Sequence, residues 1–115
     1  MKEGERLIKN VYEAVRNSPI WNDTLLVINY DEHGGFYDHV SPPQIGIPSP
    51  DGIMSHFGFN YTRLGIRTPF LLISPWIEKG VLVKEPQPHQ KPTETSHFEH
   101  TSVLSSVQKI FGIED

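Results

Sequence analysis

The stretch Thr24-Leu25-Leu26-Val27-Ile28-Asn29-Tyr30, followed directly by Asp31-Glu32-His33-Gly34-Gly35, decides the fold of this chain. The first seven residues are short, rich in β-formers and nearly uninterrupted in their apolar character, which predicts a buried strand over 24–30. In open α/β sheets, ligands bind in the crevice beyond the carboxyl ends of the strands. We therefore expect the polar residues after this strand to form a ligand-binding site.

Carboxylates and imidazoles recur along the nine residues Asp31-Glu32-His33-Gly34-Gly35-Phe36-Tyr37-Asp38-His39. Oxygen and nitrogen donors gathered in this way suit a divalent metal ion, and adjacent glycines let the backbone turn sharply near a ligand. The alternative is a solvated acidic turn, or a salt bridge from Asp31 or Glu32 to Arg63 or Arg67. Arg67 itself is interpreted as a structural ion pair rather than a phosphate clamp.

The other helices and strands are predicted from the spacing of apolar residues. Apolar residues at three- and four-residue spacing predict an amphipathic helix over 3–17. The run Phe70-Leu71-Leu72-Ile73-Ser74 predicts a second buried strand, and 80–83 a short third one. Between the two main strands, 40–59 is predicted to be a long loop because prolines and glycines interrupt it. A helix followed by a buried strand indicates the α/β class.

The last predicted element is a helix over about 97–111. Ser96 and Glu99 have the spacing of a capping box at its start. Gly112 stands where a C-terminal cap belongs. His97, Glu99 and His100 then lie near the helix N-terminus, a position that favours anions.

Length and composition limit the classes of function. The 115 residues are enough for one domain, 1–115, and the formal charge of −4 argues against nucleic-acid binding. No apolar run is long enough to span a bilayer, and the polar N-terminus does not read as a signal peptide. The chain has no cysteine, which excludes disulfides and thiolate metal sites.

Four motifs occur in order along the chain, at 30–40, 64–69, 73–80 and 96–102. The motif sequences are Tyr-Asp-Glu-His-Gly-Gly-Phe-Tyr-Asp-His-Val, Leu-Gly-Ile-Arg-Thr-Pro, Ile-Ser-Pro-Trp-Ile-Glu-Lys-Gly and Ser-His-Phe-Glu-His-Thr-Ser. Together they resemble the C-terminal part of the phosphoesterase family, which includes plant non-specific phospholipases C, bacterial phospholipases C and related acid phosphatases. The resemblance implies an alkaline-phosphatase-like α/β/α sandwich, of which this chain would be a C-terminal part with two covering helices.

The resemblance also implies an activity and a set of roles. The expected activity is phosphoric ester hydrolysis of the phospholipase C type, which splits a phosphatidylcholine-like phospholipid into diacylglycerol and a phosphorylated head group, with peripheral membrane contact. A divalent metal ion of unknown identity is the expected cofactor. The implied roles are metal ligation by Asp31 and Glu32, catalysis by His33, His39 and His100, and support by Asp38 and Glu99.

The family's upstream Glu-Asn-Arg-Ser-type motif and its threonine or serine nucleophile have no counterpart in this sequence. We therefore expect a C-terminal fragment that carries only part of the site and shows no robust activity alone. Exposed apolar strand edges are expected for the same reason. The alternatives are a catalytically silent chain, and an acid phosphatase that acts on monoesters.

Overall fold

The structure is a computed structural model that describes residues 2–113. Its helices are α1, Lys2–Arg16, and α2, Thr101–Phe111, and its strands are β1, Leu26–Asn29, and β2, Phe70–Ile73. Short 3₁₀ turns occur at Trp21–Asp23 and Pro88–Gln90. The described chain is thus a small α/β protein with two helices and one two-stranded sheet, which confirms the α/β class.

The chain divides into two compact units. The first comprises the residues up to Tyr30 together with Thr68–Leu82, and it contains α1, β1 and β2. The second comprises Asp31–Arg67 together with the residues from Val83 onward, and it contains the acidic stretch and α2. Every residue predicted to belong to the site therefore lies in the second unit.

Helix α1 matches its prediction to within one residue at each end. Two ion pairs along its surface, Arg6 with Glu3 at 2.6 Å and Lys9 with Glu13 at 3.5 Å, have the spacing that brings helical neighbours together. At its C-terminal end, the Ser18 hydroxyl donates a hydrogen bond to the Val15 carbonyl at 2.8 Å. This bond satisfies one of the carbonyl groups that every helix end leaves unpaired.

Strands β1 and β2 pair antiparallel, with Leu26 opposite Ile73 and Asn29 opposite Phe70. The rule used to expect a ligand crevice applies to parallel strands, whose carboxyl ends share one edge. In the observed pair, the carboxyl end of β1 lies beside the start of β2, where the Tyr30 N–H donates to the Pro69 carbonyl at 3.4 Å. The rationale from parallel strand ends is therefore wrong for this sheet.

Neither strand reaches the burial that its composition predicts. The pattern along β1 alternates between half-buried and exposed side chains, and Leu72 in β2 is 48% exposed. No hydrophobic side chain among residues 2–113 is fully buried. The expected exposed strand edges occur in the described residues, because a sheet of two strands leaves one edge of each strand unpaired. The apolar side chains on the faces of this sheet are exposed as well.

Two further predictions about secondary structure are wrong. Residues 80–83 form no strand. Helix α2 begins at Thr101, four residues later than predicted, and the Ser96–Glu99 capping box does not form. Ser96 instead accepts a hydrogen bond from the Thr93 N–H at 3.1 Å, because a local turn at 93–96 takes up its hydroxyl.

The end of α2 is as predicted. Gly112 adopts the left-handed conformation with φ of 62°, and its N–H donates to the Gln108 carbonyl. The Ile113 N–H donates to the same carbonyl at 2.9 Å, which completes the C-terminal cap. Neither α1 nor α2 combines the length and the apolar character that a bilayer-crossing helix needs.

Candidate active site

Asp31 and Glu32 lie in the bend that follows β1. The Glu32 N–H donates to Oδ1 of Asp31 at 3.0 Å, so the first carboxylate fixes the backbone of the second residue. Both side chains are exposed. The two adjacent carboxylates are therefore accessible to a cation from solvent.

The two glycines after His33 make the turn that the sequence predicts. Gly34 and Gly35 both have positive φ, 68° and 75°, which disfavours residues with a Cβ. A Cβ on Gly34 would also meet the Phe36 ring at 3.1 Å. The Phe36 N–H donates to the His33 carbonyl at 3.2 Å and closes the turn.

His33 is half-buried, and its Nδ1 atom is buried without a hydrogen-bond partner in the described part of the chain. Buried polar atoms are normally satisfied, so such an atom calls for an explanation. Imidazole nitrogens and carboxylate oxygens are ligands that zinc and the transition metals bind. The residue types at 31–33 therefore fit part of a metal coordination sphere.

That coordination sphere is not complete within the described residues. Between residues 2 and 113, no three His, Asp or Glu side chains come together in an arrangement that would hold a metal ion. Asp31, Glu32 and His33 are neighbours in sequence without converging on one point. The metal role of Asp31 and Glu32 stays a prediction.

Asp38 is the most buried carboxylate of the stretch, with only 13% of its side chain exposed. Nε of Arg67 donates to Oδ2 and Nη2 donates to Oδ1, both at 2.8 Å, and the Val40 N–H donates to Oδ1 at 3.1 Å. These bonds hold the pKa of Asp38 well below its usual range, with the Arg67 hydrogen bonds as the largest cause. The hydrogen bonds between Asp38 and Arg67 also raise the pKa of Arg67.

His39 is brought next to this ion pair. Its Nδ1 lies 3.4 Å from Oδ1 of Asp38, and its side chain is 85% exposed. The interpretation of Arg67 as an ion pair is confirmed, but its partner is Asp38 rather than Asp31 or Glu32. The sequence offered no means to find this partner, because 29 residues separate the two side chains.

Glu99 and His100 lie in the turn that leads into α2. The Glu99 N–H donates to the Ser102 hydroxyl oxygen at 3.1 Å, and the Glu99 carboxylate accepts a hydrogen bond from the Thr101 hydroxyl. The Val103 N–H donates to the His100 carbonyl at 3.1 Å. Glu99 thus has a local role at the helix start, and the catalytic role of His100 stays a prediction.

Comparison with known proteins gives the family. A family profile described as Phosphoesterase family matches residues 1–114. The chain belongs to this family. The four motifs of the sequence analysis and the Asp38–Arg67 pair therefore lie within a phosphoesterase sequence.

The relatives it resembles include plant and bacterial proteins. Non-specific phospholipase C6 of Arabidopsis thaliana is 52% identical over 112 residues, which is 96% of this chain and 21% of the relative. Non-specific phospholipase C3 of the same plant is 51% identical over 114 residues, 97% of this chain and 21% of the relative. Phospholipase C B of Mycobacterium tuberculosis (strain ATCC 25618 / H37Rv) is 33% identical over 107 residues, 84% of this chain and 18% of the relative. The chain thus spans about a fifth of the length of these relatives.

Proposed function

We propose that this chain supplies part of the active site of a phosphoric ester hydrolase of the phospholipase C type. The observation that carries the proposal is about 50% identity, over nearly the whole chain, to relatives named non-specific phospholipase C. The substrate is a phosphatidylcholine-like phospholipid, and the products are diacylglycerol and the phosphorylated head group. Contact with a membrane surface follows from the nature of that substrate.

The reaction is a hydrolysis in which the bond between phosphorus and the glycerol oxygen breaks. Water supplies the oxygen that phosphorus gains and the proton that the leaving alkoxide takes up. A divalent metal ion, when bound, would polarise the phosphate oxygens and stabilise the charge that develops on them. Asp31 and Glu32 would bind this ion through their carboxylates.

The imidazoles have the chemistry for proton transfer. His33, His39 and His100 are the candidates for protonating the leaving alkoxide or steadying the phosphate. Asp38 and Glu99 would support them, Asp38 through its contact with His39. The nucleophile and the remaining metal ligands would come from outside this chain.

The proposal also includes the fold. Residues 1–115 would form the C-terminal part of an alkaline-phosphatase-like α/β/α domain, in which further chain covers the faces and pairs with the edges of the β1–β2 sheet. The exposed apolar surface of both strands supports this, because such surface is normally covered in an α/β sheet.

A chimaera tests the proposal. The matching fifth of the Arabidopsis relative at 52% identity is replaced by residues 1–114 of this chain. We expect the chimaera to release diacylglycerol from phosphatidylcholine vesicles when a divalent cation is present. Asp31→Ala should lower kcat about a hundredfold or more, because an electrostatic contact to the transition state is lost.

Asp51→Asn is the matched control. Asp51 is an exposed carboxylate in the same unit, where it accepts a hydrogen bond from the Ile53 N–H at 2.9 Å, so the control should keep its activity. A chimaera that hydrolyses only phosphomonoesters would favour the acid phosphatase instead. A folded chimaera without any hydrolysis would favour the silent chain and would refute the proposal.

A further inference from the structure

The Asp38–Arg67 pair differs from the other ion pairs between carboxylates and Lys or Arg in the described chain, both in its geometry and in the separation of its two residues in sequence. Two parallel hydrogen bonds of 2.8 Å join the guanidinium to both carboxylate oxygens. Paired bonds of this kind fix orientation as well as distance, which a lysine cannot do. The other pairs between carboxylates and Lys or Arg in residues 2–113 are single contacts between near neighbours in sequence.

The hydrogen bonds of Asp38 fix the orientation of its carboxylate group. Oδ2 accepts from Nε of Arg67, and Oδ1 accepts from Nη2 of Arg67 and from the Val40 N–H. Oδ1 is also the atom that lies 3.4 Å from Nδ1 of His39. Rotation of the carboxylate would break the two bonds to Arg67, so these bonds keep Oδ1 on the side that faces Nδ1 of His39.

The carboxylate can act only as a hydrogen-bond acceptor toward His39. An ionised carboxylate has no proton to donate, so the imidazole nitrogen beside it is favoured in its N–H form. A hydrogen bond from His39 to this carboxylate would place the proton of the neutral imidazole on Nδ1 and leave the lone pair on Nε2. The exposed imidazole then offers Nε2 to a substrate.

We propose that Arg67 is a positioning residue that acts through Asp38: it holds the carboxylate against Nδ1 of His39 and so reserves Nε2 for proton transfer. Arg67 touches neither the reacting atoms nor the phosphate in this arrangement. The proposal rests on the proposed phosphoesterase function, because it assigns the reacting nitrogen of one candidate catalytic histidine.

The tautomer of His39 is the first test, and it does not depend on activity. Long-range ¹H–¹⁵N correlation on the ¹⁵N-labelled chain, with His39→Gln to assign the signals, distinguishes the two neutral forms. We expect the Nδ1–H form in the wild-type chain and a mixture of forms in Arg67→Ala. An Nε2–H form in the wild type, or the same form in both, would overturn the proposal.

Kinetics of the chimaera are the second test. Arg67→Ala should lower kcat about tenfold to a hundredfold, the usual cost of losing a group that orients a site residue. The inhibition constant of inorganic phosphate should stay unchanged. Asp38→Asn should give a similar loss, and the double variant should lose little more, because both changes remove one interaction. Arg67→Lys keeps the charge without the two parallel bonds, so it should behave like Arg67→Ala.

Arg63→Ala is the matched control. Arg63 lies in the same unit with its guanidinium 5.0 Å from the centre of the Phe59 ring, and its removal takes away the same charge. It should leave kcat unchanged. A weaker inhibition by phosphate with unchanged kcat in Arg67→Ala would make Arg67 a phosphate clamp and refute the positioning role. A chimaera without activity would refute the proposed function, while the tautomer measurement would still decide this inference.

Discussion

At the scale of single residues, the most constrained position outside the acidic stretch is Gly46. Its φ of 75° is in the left-handed region, and a Cβ there would lie 2.8 Å from Cβ of Thr95. The Thr95 hydroxyl donates to the Gly46 carbonyl at 2.8 Å, which ties the long loop to a segment 49 residues away. Backbone conformation and close packing therefore both require glycine.

We predict that Gly46→Ala increases the local opening of the 40–59 loop. The new methyl group would collide with a β-branched side chain that has few alternative rotamers, at a cost of about 1 to 3 kcal/mol for overpacking. Hydrogen exchange followed by mass spectrometry should show faster exchange over 40–59. Gly52→Ala is the control, because Gly52 has a similar φ of 71° with no atom near the added Cβ. Equal effects of both substitutions would contradict the role of the Thr95 contact.

A second prediction at this scale concerns pH. Because Arg67 lowers the pKa of Asp38 in the folded chain, folding favours the ionised carboxylate. The resulting stabilisation is complete above the ordinary aspartate pKa of about 4 and is lost as the pH falls below it. Denaturant titrations at pH 6 and pH 3 should show a smaller acid-induced loss in Asp38→Asn than in the wild type. Identical losses would mean that the pair does not contribute to stability.

At the scale of elements, the sequence predicted the secondary structure that depends on local residue patterns. Helix α1, both strands, the irregular 40–59 loop and the Gly112 cap follow from periodicity and from glycine and proline chemistry. The antiparallel direction of β1 and β2 was missed because a hydrophobic run carries no information about its partner. The start of α2 was missed because the Ser96 hydroxyl accepts a hydrogen bond from the Thr93 N–H instead of capping the helix, and the spacing of Ser96 and Glu99 does not reveal this competing turn.

The observed start of α2 leads to a further prediction. Ser102 accepts the hydrogen bond of the Glu99 N–H, so Ser102→Ala leaves this group without its partner. Losing a hydrogen bond of this kind costs about 1 kcal/mol. Far-UV circular dichroism with denaturant should show the loss. Ser105→Ala, in the exposed middle of the helix, should be neutral or slightly stabilising because alanine is the better helix former.

At the scale of the whole molecule, the candidate site residues were named from the sequence, but their arrangement in space was not predicted from it. The motif residues identify a phosphoesterase, and the family match bears this out. The link from Asp38 to Arg67 required the fold, because it joins two loops far apart in sequence. No three His, Asp or Glu side chains come together within the described residues in an arrangement that would hold a metal ion, so the metal role of Asp31 and Glu32 stays a prediction.

The chain on its own is predicted to lack robust phosphoesterase activity and to self-associate. Exposed apolar side chains on β1, β2 and both helices provide the surface for association. Sedimentation of the purified chain should show species larger than a monomer. Addition of the missing part of the relative should reduce association and restore hydrolysis. A monomeric chain with fully protected strand amides would contradict this expectation.

The proposed binding of a divalent cation by Asp31 and Glu32 is tested most directly by the metal content of the chimaera. Inductively coupled plasma mass spectrometry after exhaustive dialysis should find a bound divalent ion in the wild-type chimaera. The ion should be largely absent from a folded Asp31→Asn, Glu32→Gln double variant and retained in Asp51→Asn. An unchanged metal content in the double variant would contradict the account.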